Sequence, residues 1–133
     1  MKKIICFGDS NTFGFNPVDG SRYDADIRWT GLLAEIVGDK FKVIEEGCNN
    51  RTGFFINPDG FLQSGLAYLP KLLEKQMFFD IFILALGTND LQKFFKVDEN
   101  IARTGLANLI AIIRKFNKNA KIIIIPPVIL DEN

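Results

Sequence analysis

The chain has 133 residues, of which 47% are apolar and 24% are charged, and this composition is typical of one globular domain with a single buried core. Its 16 basic residues are balanced by 16 acidic residues, whereas proteins that bind nucleic acids or anionic membranes carry clustered Lys and Arg. We therefore expect neither a nucleic acid nor a membrane as a partner.

Four apolar runs alternate with three amphipathic stretches along the chain. The runs are rich in Ile, Val and Phe and have the length and continuous hydrophobicity of strands that are covered on both faces. They span 3–7, 41–45, 81–86 and 121–125. Apolar residues spaced three and four apart predict helices over 29–37, 63–75 and 98–117, with Asp98 as the N-cap of the last. Strands that alternate with helices pair in parallel, so we predict an α/β fold, a three-layer α/β/α sandwich with a flavodoxin-like parallel sheet.

One long irregular insertion, 16–27, follows the first predicted strand. It contains Pro17, Gly20 and four charged residues. Open parallel sheets bind ligands at the carboxyl ends of their strands, which is the edge where this insertion begins. We expect it to form a wall of a pocket.

Neither a secretory signal nor a membrane span is predicted. The apolar run that begins at Ile4 ends after four residues, whereas a signal peptide needs roughly 7 to 15. The longest apolar stretch, 121–130, contains two prolines and is shorter than the roughly 18 residues of a spanning helix. Cys6 and Cys48 are too few for a disulfide framework, and both are expected to pack rather than react. We expect a cytoplasmic protein.

Small polar residues follow each of the first three predicted strands. The loops are 8–11 (Gly-Asp-Ser-Asn), 46–52 (Glu-Gly-Cys-Asn-Asn-Arg-Thr) and 87–90 (Gly-Thr-Asn-Asp). Taken singly, each loop is explained by the preference of these residue types for turns and N-caps. Because the carboxyl ends of parallel strands share one edge of a sheet, the three loops are also expected to meet and form a site.

In combination, the loops resemble the motif blocks of the SGNH (GDSL-type) hydrolase superfamily. Gly-Asp-Ser after the first strand and Gly-Thr-Asn-Asp after the third occur in the order and register of that superfamily. The resemblance covers essentially the whole chain and includes 26–31, 43–47, 51–52 and 68–70. The chain is most similar to the arylesterase and acyltransferase branch. This resemblance implies an ester hydrolase or acyl-transfer enzyme that acts on small acyl esters.

The resemblance also implies a nucleophile and an oxyanion hole. Ser10 is the implied nucleophile, and the implied donors are its own backbone N–H, the side-chain amide of Asn89 and a backbone N–H at Asn50. The superfamily usually has glycine at the last position. Asparagine keeps the N–H there and tolerates left-handed backbone conformations better than other residues with a side chain.

Four more residues in or beside these loops are predicted to bind substrate: Asp9, Asn11, Trp29 and Thr88. Trp29 either lines an acyl or alcohol pocket or packs in the core. Asp9 and Asp90 suggest a carboxylate pair, but they are better explained as caps of backbone N–H groups in their own loops. The phenylalanine pairs 54–55 and 94–95 flank the site and form either a pocket rim or a subunit contact.

The sequence contains no histidine, although the resemblance implies a histidine base three residues after an aspartate near the C-terminus. The chain ends where the superfamily has a fifth strand and a final helix. We therefore expect a single SGNH domain over 1–133 that is incomplete at its C-terminus. Its esterase activity should be weak, at best about 10³- to 10⁴-fold over water. The fourth strand would be an uncovered edge, so we expect a homo-oligomer or a fragment of a longer protein.

Two other functions stay open at this point. The same fold can retain its pocket and bind an ester or sugar without catalysis. The polar loop 10–14 at a helix start can also bind a nucleotide or phosphate, although it lacks a glycine-rich fingerprint. No metal or other cofactor is expected, because the sequence has no cluster of metal ligands and the implied chemistry uses fixed dipoles.

Overall fold

A four-stranded parallel sheet forms the centre of the computed structural model, which describes residues 1–127. The strands are β1 (Lys2–Gly8), β2 (Phe41–Gly47), β3 (Ile81–Ala85) and β4 (Lys121–Ile124), and they lie in the order β2-β1-β3-β4. The helices are α1 (Ser10–Phe13), α2 (Trp29–Val37), α3 (Gly65–Gln76) and α4 (Glu99–Phe116). Within residues 1–127, no helix is both long enough and apolar enough to cross a bilayer.

Helices cover both faces of the sheet. Side chains alternate along a strand, so Ile5 and Phe7 of β1 face one side while Ile4 and Cys6 face the other. The first pair is buried against leucines and an isoleucine of α3 and α4, and the second pair packs with residues of α2. The three-layer α/β sandwich predicted from the sequence is confirmed.

The predicted helices agree with the structure to within two residues at each end. The carboxylate of Asp98 accepts a hydrogen bond of 2.8 Å from the backbone N–H of Ile101, so Asp98 is the N-cap of α4, as predicted. The short helix α1 was not predicted, because four residues are too few to show helical periodicity.

The strands are not equally covered, which corrects the expectation that all four lie between helices. β1 and β3 are central and largely buried, whereas β2 is half-buried and β4 is mostly exposed. The difference follows from position, since β2 and β4 are the outer strands of the described sheet. A continuous apolar run predicts a strand, but it does not predict where in the sheet that strand lies.

The insertion 16–27 folds back on α1 and is anchored to β2. The backbone N–H of Tyr23 donates to the carbonyl of Gly14 at 2.7 Å. At the end of the insertion, Arg28 donates two hydrogen bonds of 2.7 and 3.0 Å to the carboxylate of Glu45, to which the hydroxyl of Thr30 also donates. The hydrogen bonds from Arg28 lower the pKa of Glu45 to about 2. The carboxylate therefore stays ionised, and the ion pair persists, at neutral pH.

Candidate functional site

The carboxyl ends of β1, β2 and β3 lie side by side. Gly8, the last residue of β1, pairs with Gly47 of β2 and with Ala85 of β3. The backbone N–H of Cys48 then donates to the carbonyl of Gly8 at 3.1 Å. The three loops that the sequence predicted to meet therefore start from adjacent positions at one edge of the sheet.

Ser10 is the first residue of α1 and follows β1 after one intervening residue. That residue, Asp9, is the N-cap, and its carboxylate accepts a hydrogen bond of 2.9 Å from the backbone N–H of Asn11. Gly14 ends the helix in a left-handed conformation with φ of 87°. Ser10 is half-buried. Because α1 is a single turn, few peptide dipoles are aligned behind Ser10, and its local N–H groups matter more than a helix dipole.

Glycines at the strand ends allow α1 to lie directly against the sheet. A Cβ atom on Gly47 would overlap the backbone nitrogen of Phe13, and one on Gly8 would overlap the hydroxyl of Thr12. Backbone cannot yield as a flexible side-chain tip can, so Gly47 in particular sets how closely α1, and with it Ser10, approaches the strands.

The carboxamide of Asn89 is oriented from both ends. Its Nδ2 donates to the backbone carbonyl of Arg51 at 3.0 Å, and its Oδ1 accepts a hydrogen bond of 3.3 Å from Nε2 of Gln92. An amide nitrogen carries two hydrogens, and within residues 1–127 only one of them has a partner. The other is free to donate to a ligand.

Asn50 lies in the turn after β2 with a left-handed φ of 64°. The turn is closed by a hydrogen bond of 3.3 Å from the backbone N–H of Arg51 to the carbonyl of Cys48. Among the contacts of the described part of the chain, the backbone N–H of Asn50 donates to no protein atom. Asn50 as a whole residue is also exposed, so we treat this N–H as a candidate donor to a ligand.

Arg51 is a central residue of this edge that sequence reasoning did not identify. Its side chain is only 2% exposed. Nη1 donates to the carbonyls of Glu46 and Gly8 at 2.7 and 3.3 Å, and Nε donates to the carbonyl of Leu62 at 2.8 Å. An arginine in a polar loop is usually exposed, so the only signal in the sequence was that Arg51 belongs to a segment that resembles the superfamily.

Asp90 caps a neighbouring loop and not its own, which corrects the prediction. Its buried carboxylate accepts hydrogen bonds from the backbone N–H groups of Gly53 at 3.0 Å and Phe54 at 2.8 Å. Asp90 thereby ties the loop after β3 to the loop after β2. Asp9 caps its own loop as predicted. Burial raises the pKa of both carboxyl groups, although hydrogen bonds from backbone N–H groups partly oppose the rise.

A largely apolar cavity of about 350 Å³ opens beside the strand ends. It is lined by Asp9, Asn11, Thr12, Trp29, Ala85, Leu86, Thr88, Ile125, Pro126 and Pro127. All four residues predicted to bind substrate are in this lining, but Ser10, Asn50 and Asn89 are not.

No residue of the insertion 16–27 lines the cavity either, so the expectation that the insertion forms its wall is wrong. Trp29 lines the cavity and also packs against the core under α2.

Three of the four paired phenylalanines form a cluster that joins the loops after β2 and β3. The ring centroids of Phe55 and Phe95 are 4.5 Å apart, and those of Phe94 and Phe95 are 4.3 Å apart. Phe54 instead packs its backbone against Gly105 of α4. None of these rings lines the cavity.

The cysteines lie in different environments. Cys6 is fully buried on β1, and burial raises the pKa of its thiol to about 12. The thiol therefore stays protonated and unreactive at neutral pH. Cys48 is half-buried, and its thiol lies 3.6 Å from the carbonyl of Asn49.

We predict that Asp90→Asn lowers the free energy of unfolding by about 2 kcal/mol, the scale of losing hydrogen bonds to a buried charged acceptor. Asparagine offers one acceptor oxygen, and its NH₂ group would face the N–H groups of Gly53 and Phe54. Urea unfolding followed by circular dichroism measures the change. Asp39→Asn, on an exposed turn, is the matched control, and equal unfolding midpoints for the two variants would contradict the prediction.

Comparisons with known proteins show the family and the fold of the chain. Residues 6–132 match the sequence model of the GDSL-like lipase/acylhydrolase family. The structure is similar to an aryl esterase of M. smegmatis, with 35% identity and a TM-score of 0.85 over 93% of this chain and 63% of that one. It is also similar to a carbohydrate acetylesterase from Sinorhizobium meliloti, with 32% identity and a TM-score of 0.86 over 96% and 64%. A search of the curated proteins gave no match. The chain thus spans less than two thirds of the length of these similar structures.

Proposed function

Because the chain belongs to the GDSL-like lipase/acylhydrolase family, we propose that it is a serine ester hydrolase that cleaves small acyl esters with Ser10 as its nucleophile. One observation carries the proposal. Ser10, Asn50 and Asn89 lie on three loops that start at adjacent strand ends and are hydrogen-bonded to one another. Such a junction is where a nucleophile and its oxyanion donors can act on the same carbonyl group.

In the proposed reaction, the hydroxyl oxygen of Ser10 attacks the ester carbonyl while its proton passes to solvent water, the alcohol leaves with a proton from water, and a second water hydrolyses the acyl-serine. During the attack, negative charge develops on the carbonyl oxygen. The backbone N–H groups of Ser10 and Asn50 and the free amide hydrogen of Asn89 stabilise that charge. All three donors are neutral, and the loops that carry them are hydrogen-bonded to each other. They therefore need little reorganisation as the charge forms, which makes oxyanion stabilisation effective.

The chain supplies no histidine to take the proton of Ser10. The buried carboxylates of Asp9 and Asp90 already accept backbone hydrogen bonds, so they do not replace it. Serine hydrolases that lose their base lose most of their catalytic power. We propose slow turnover for the chain by itself, by attack of the unactivated hydroxyl of Ser10.

The cavity beside the site is the proposed pocket for the acyl or alcohol group. Its lining is largely apolar, with Trp29 on one wall and the polar groups of Asp9, Asn11 and Thr88 at the strand ends. Small-molecule sites commonly combine an apolar pocket with a few fixed polar groups. The names of the similar proteins, aryl esterase and carbohydrate acetylesterase, support an ester with a short acyl group.

A second candidate function is ligand binding without turnover. The specific observation that favours it is the presence of a formed cavity in a chain that contains no histidine. The two candidates differ in one measurable respect, which is whether any hydrolysis depends on the hydroxyl of Ser10.

We predict that the chain hydrolyses p-nitrophenyl acetate slowly and that Ser10→Ala removes all of the rate above the buffer background, because the nucleophile is lost. Release of p-nitrophenol measures both rates. Ser21→Ala, in the exposed part of the insertion, is the control and should retain the full rate. Unchanged turnover in the Ser10→Ala variant would remove Ser10 from the mechanism, and no turnover in any of the three proteins would favour the binding function.

We also propose that the chain self-associates through β4. Within residues 1–127, β4 pairs only with β3, and its apolar side chains Ile123 and Ile124 are 37% and 44% exposed. An outer strand with unpaired backbone groups and exposed apolar side chains is a template for pairing with another chain. A second copy offers the same strand and can pair with it about a two-fold axis.

We predict that Ile123→Lys shifts the chain toward the monomer, because lysine on an outer strand disfavours edge-to-edge pairing. Sedimentation velocity over a range of concentrations measures the change. Ile36→Lys provides the control, since Ile36 is 82% exposed on α2 and its replacement changes the net charge equally. The proposal would be wrong if the unmodified chain were monomeric throughout or if both variants associated alike.

A further inference from the structure

We propose that Arg51 is the positioning residue of the oxyanion hole and that its N–H, its carbonyl and its guanidinium each fix one of the three donors. The inference rests on the proposed function, because it concerns the donors assigned there. Arg51 itself is buried behind the loop and donates only to protein carbonyls, so it touches neither the substrate nor the reacting atoms.

The guanidinium joins three segments of backbone. Gly8 is the residue before the Asp9–Ser10 turn, and Glu46 lies just before the loop that carries Asn50. Nη1 of Arg51 donates to the carbonyls of both residues, while Nε donates to Leu62 on the segment before α3. A single side chain therefore links the end of β1 to the end of β2, in addition to the strand pairing between them.

The main chain of Arg51 completes the arrangement. Its N–H donates to Cys48 and closes the turn that holds Asn50 at φ of 64°. Its carbonyl accepts the hydrogen bond from Nδ2 of Asn89. Because a carbonyl oxygen can only accept a hydrogen bond, the carbonyl of Arg51 orients the Asn89 carboxamide with its nitrogen, and not its oxygen, toward the loop after β2. Displacement of Arg51 thus moves or reorients all three donors together.

Arginine suits this position better than lysine. The guanidinium presents donors on separate nitrogens in a planar fork, whereas an ammonium group is a single point. The carbon at the centre of the fork lies 4.5 Å from the ring centroid of Phe7 and 5.0 Å from that of Tyr68, and such contacts stabilise a buried cation. Burial lowers the pKa of Arg51, but arginine starts from so high a value that it remains charged.

The test compares Arg51→Lys with a matched control elsewhere in the fold. Arg114 also donates hydrogen bonds to backbone carbonyls, those of Lys118 and Ala120. These carbonyls precede the start of β4, at the amino ends of the strands and not at the carboxyl ends where the candidate site lies. Arg114→Lys therefore makes the same chemical change away from the site. Arg51→Ala is also studied with and without millimolar ethylguanidinium. This comparison tests whether a free guanidinium restores the positions of the three donors.

Two readouts are needed, and one of them is independent of activity. The first is the ¹H–¹⁵N NMR signals of the Asn89 carboxamide and of the backbone N–H groups of Ser10 and Asn50. The second is kcat and KM for p-nitrophenyl acetate. Misplacing fixed oxyanion donors costs roughly a hundredfold in kcat, and KM should change little because Arg51 does not line the cavity.

In Arg51→Lys we expect all three sets of NMR signals to shift and kcat to fall, with neither effect in Arg114→Lys. Ethylguanidinium should restore both in Arg51→Ala if that variant folds, and if it does not fold, Arg51→Lys decides. Unmoved signals in Arg51→Lys, or an equal loss of kcat in Arg114→Lys, would overturn the positioning role. If Ser10→Ala kept full turnover, the hydrolase proposal would fail by itself, and the NMR comparison would still decide whether Arg51 fixes these three groups.

Discussion

Two buried charges hold the carboxyl edge of the sheet together, and the candidate site depends on them. Arg51 donates to carbonyls at the ends of β1 and β2, and Asp90 accepts from N–H groups of the loop after β2. Removing a charge from water is costly unless it is well paired. Here each charge is hydrogen-bonded to backbone groups of neighbouring segments, so the cost is offset and the loops are held together. Such an arrangement is what an oxyanion hole requires, because its donors must be in place before the charge develops.

The proposed mechanism separates electrostatic stabilisation from proton transfer. The described residues hold a hydroxyl, three donors and an adjoining apolar cavity, yet the sequence contains no histidine. The oxyanion donors and the base have different structural requirements. The donors are fixed by hydrogen bonds among the loops, whereas a base has only to reach the hydroxyl of Ser10. Under the proposed function, donors without a base would bind and polarise an ester while turning it over slowly.

Sequence patterns predicted those features of the fold that depend on local periodicity. The apolar run at the start of β1, the repeat along α4 and the cap at Asp98 each report on a single element, and each agrees with the structure. The meeting of the three loops also followed from parallel pairing alone. Contacts between distant segments could not be predicted in this way. Nothing local to Arg51 shows that it is buried, and nothing local to Asp90 shows that it caps the neighbouring loop.

We propose that Ser10, Asn50 and Asn89 act on one oxygen atom, and a crystal structure with an aryl boronic acid can decide whether they do. A boronate on the hydroxyl of Ser10 mimics the tetrahedral intermediate. We expect one of its oxygens to lie about 3 Å from Nδ2 of Asn89 and from the backbone nitrogens of Ser10 and Asn50. A boronate on Ser10 whose oxygens all lie beyond hydrogen-bonding distance of Asn89 and Asn50 would contradict the account.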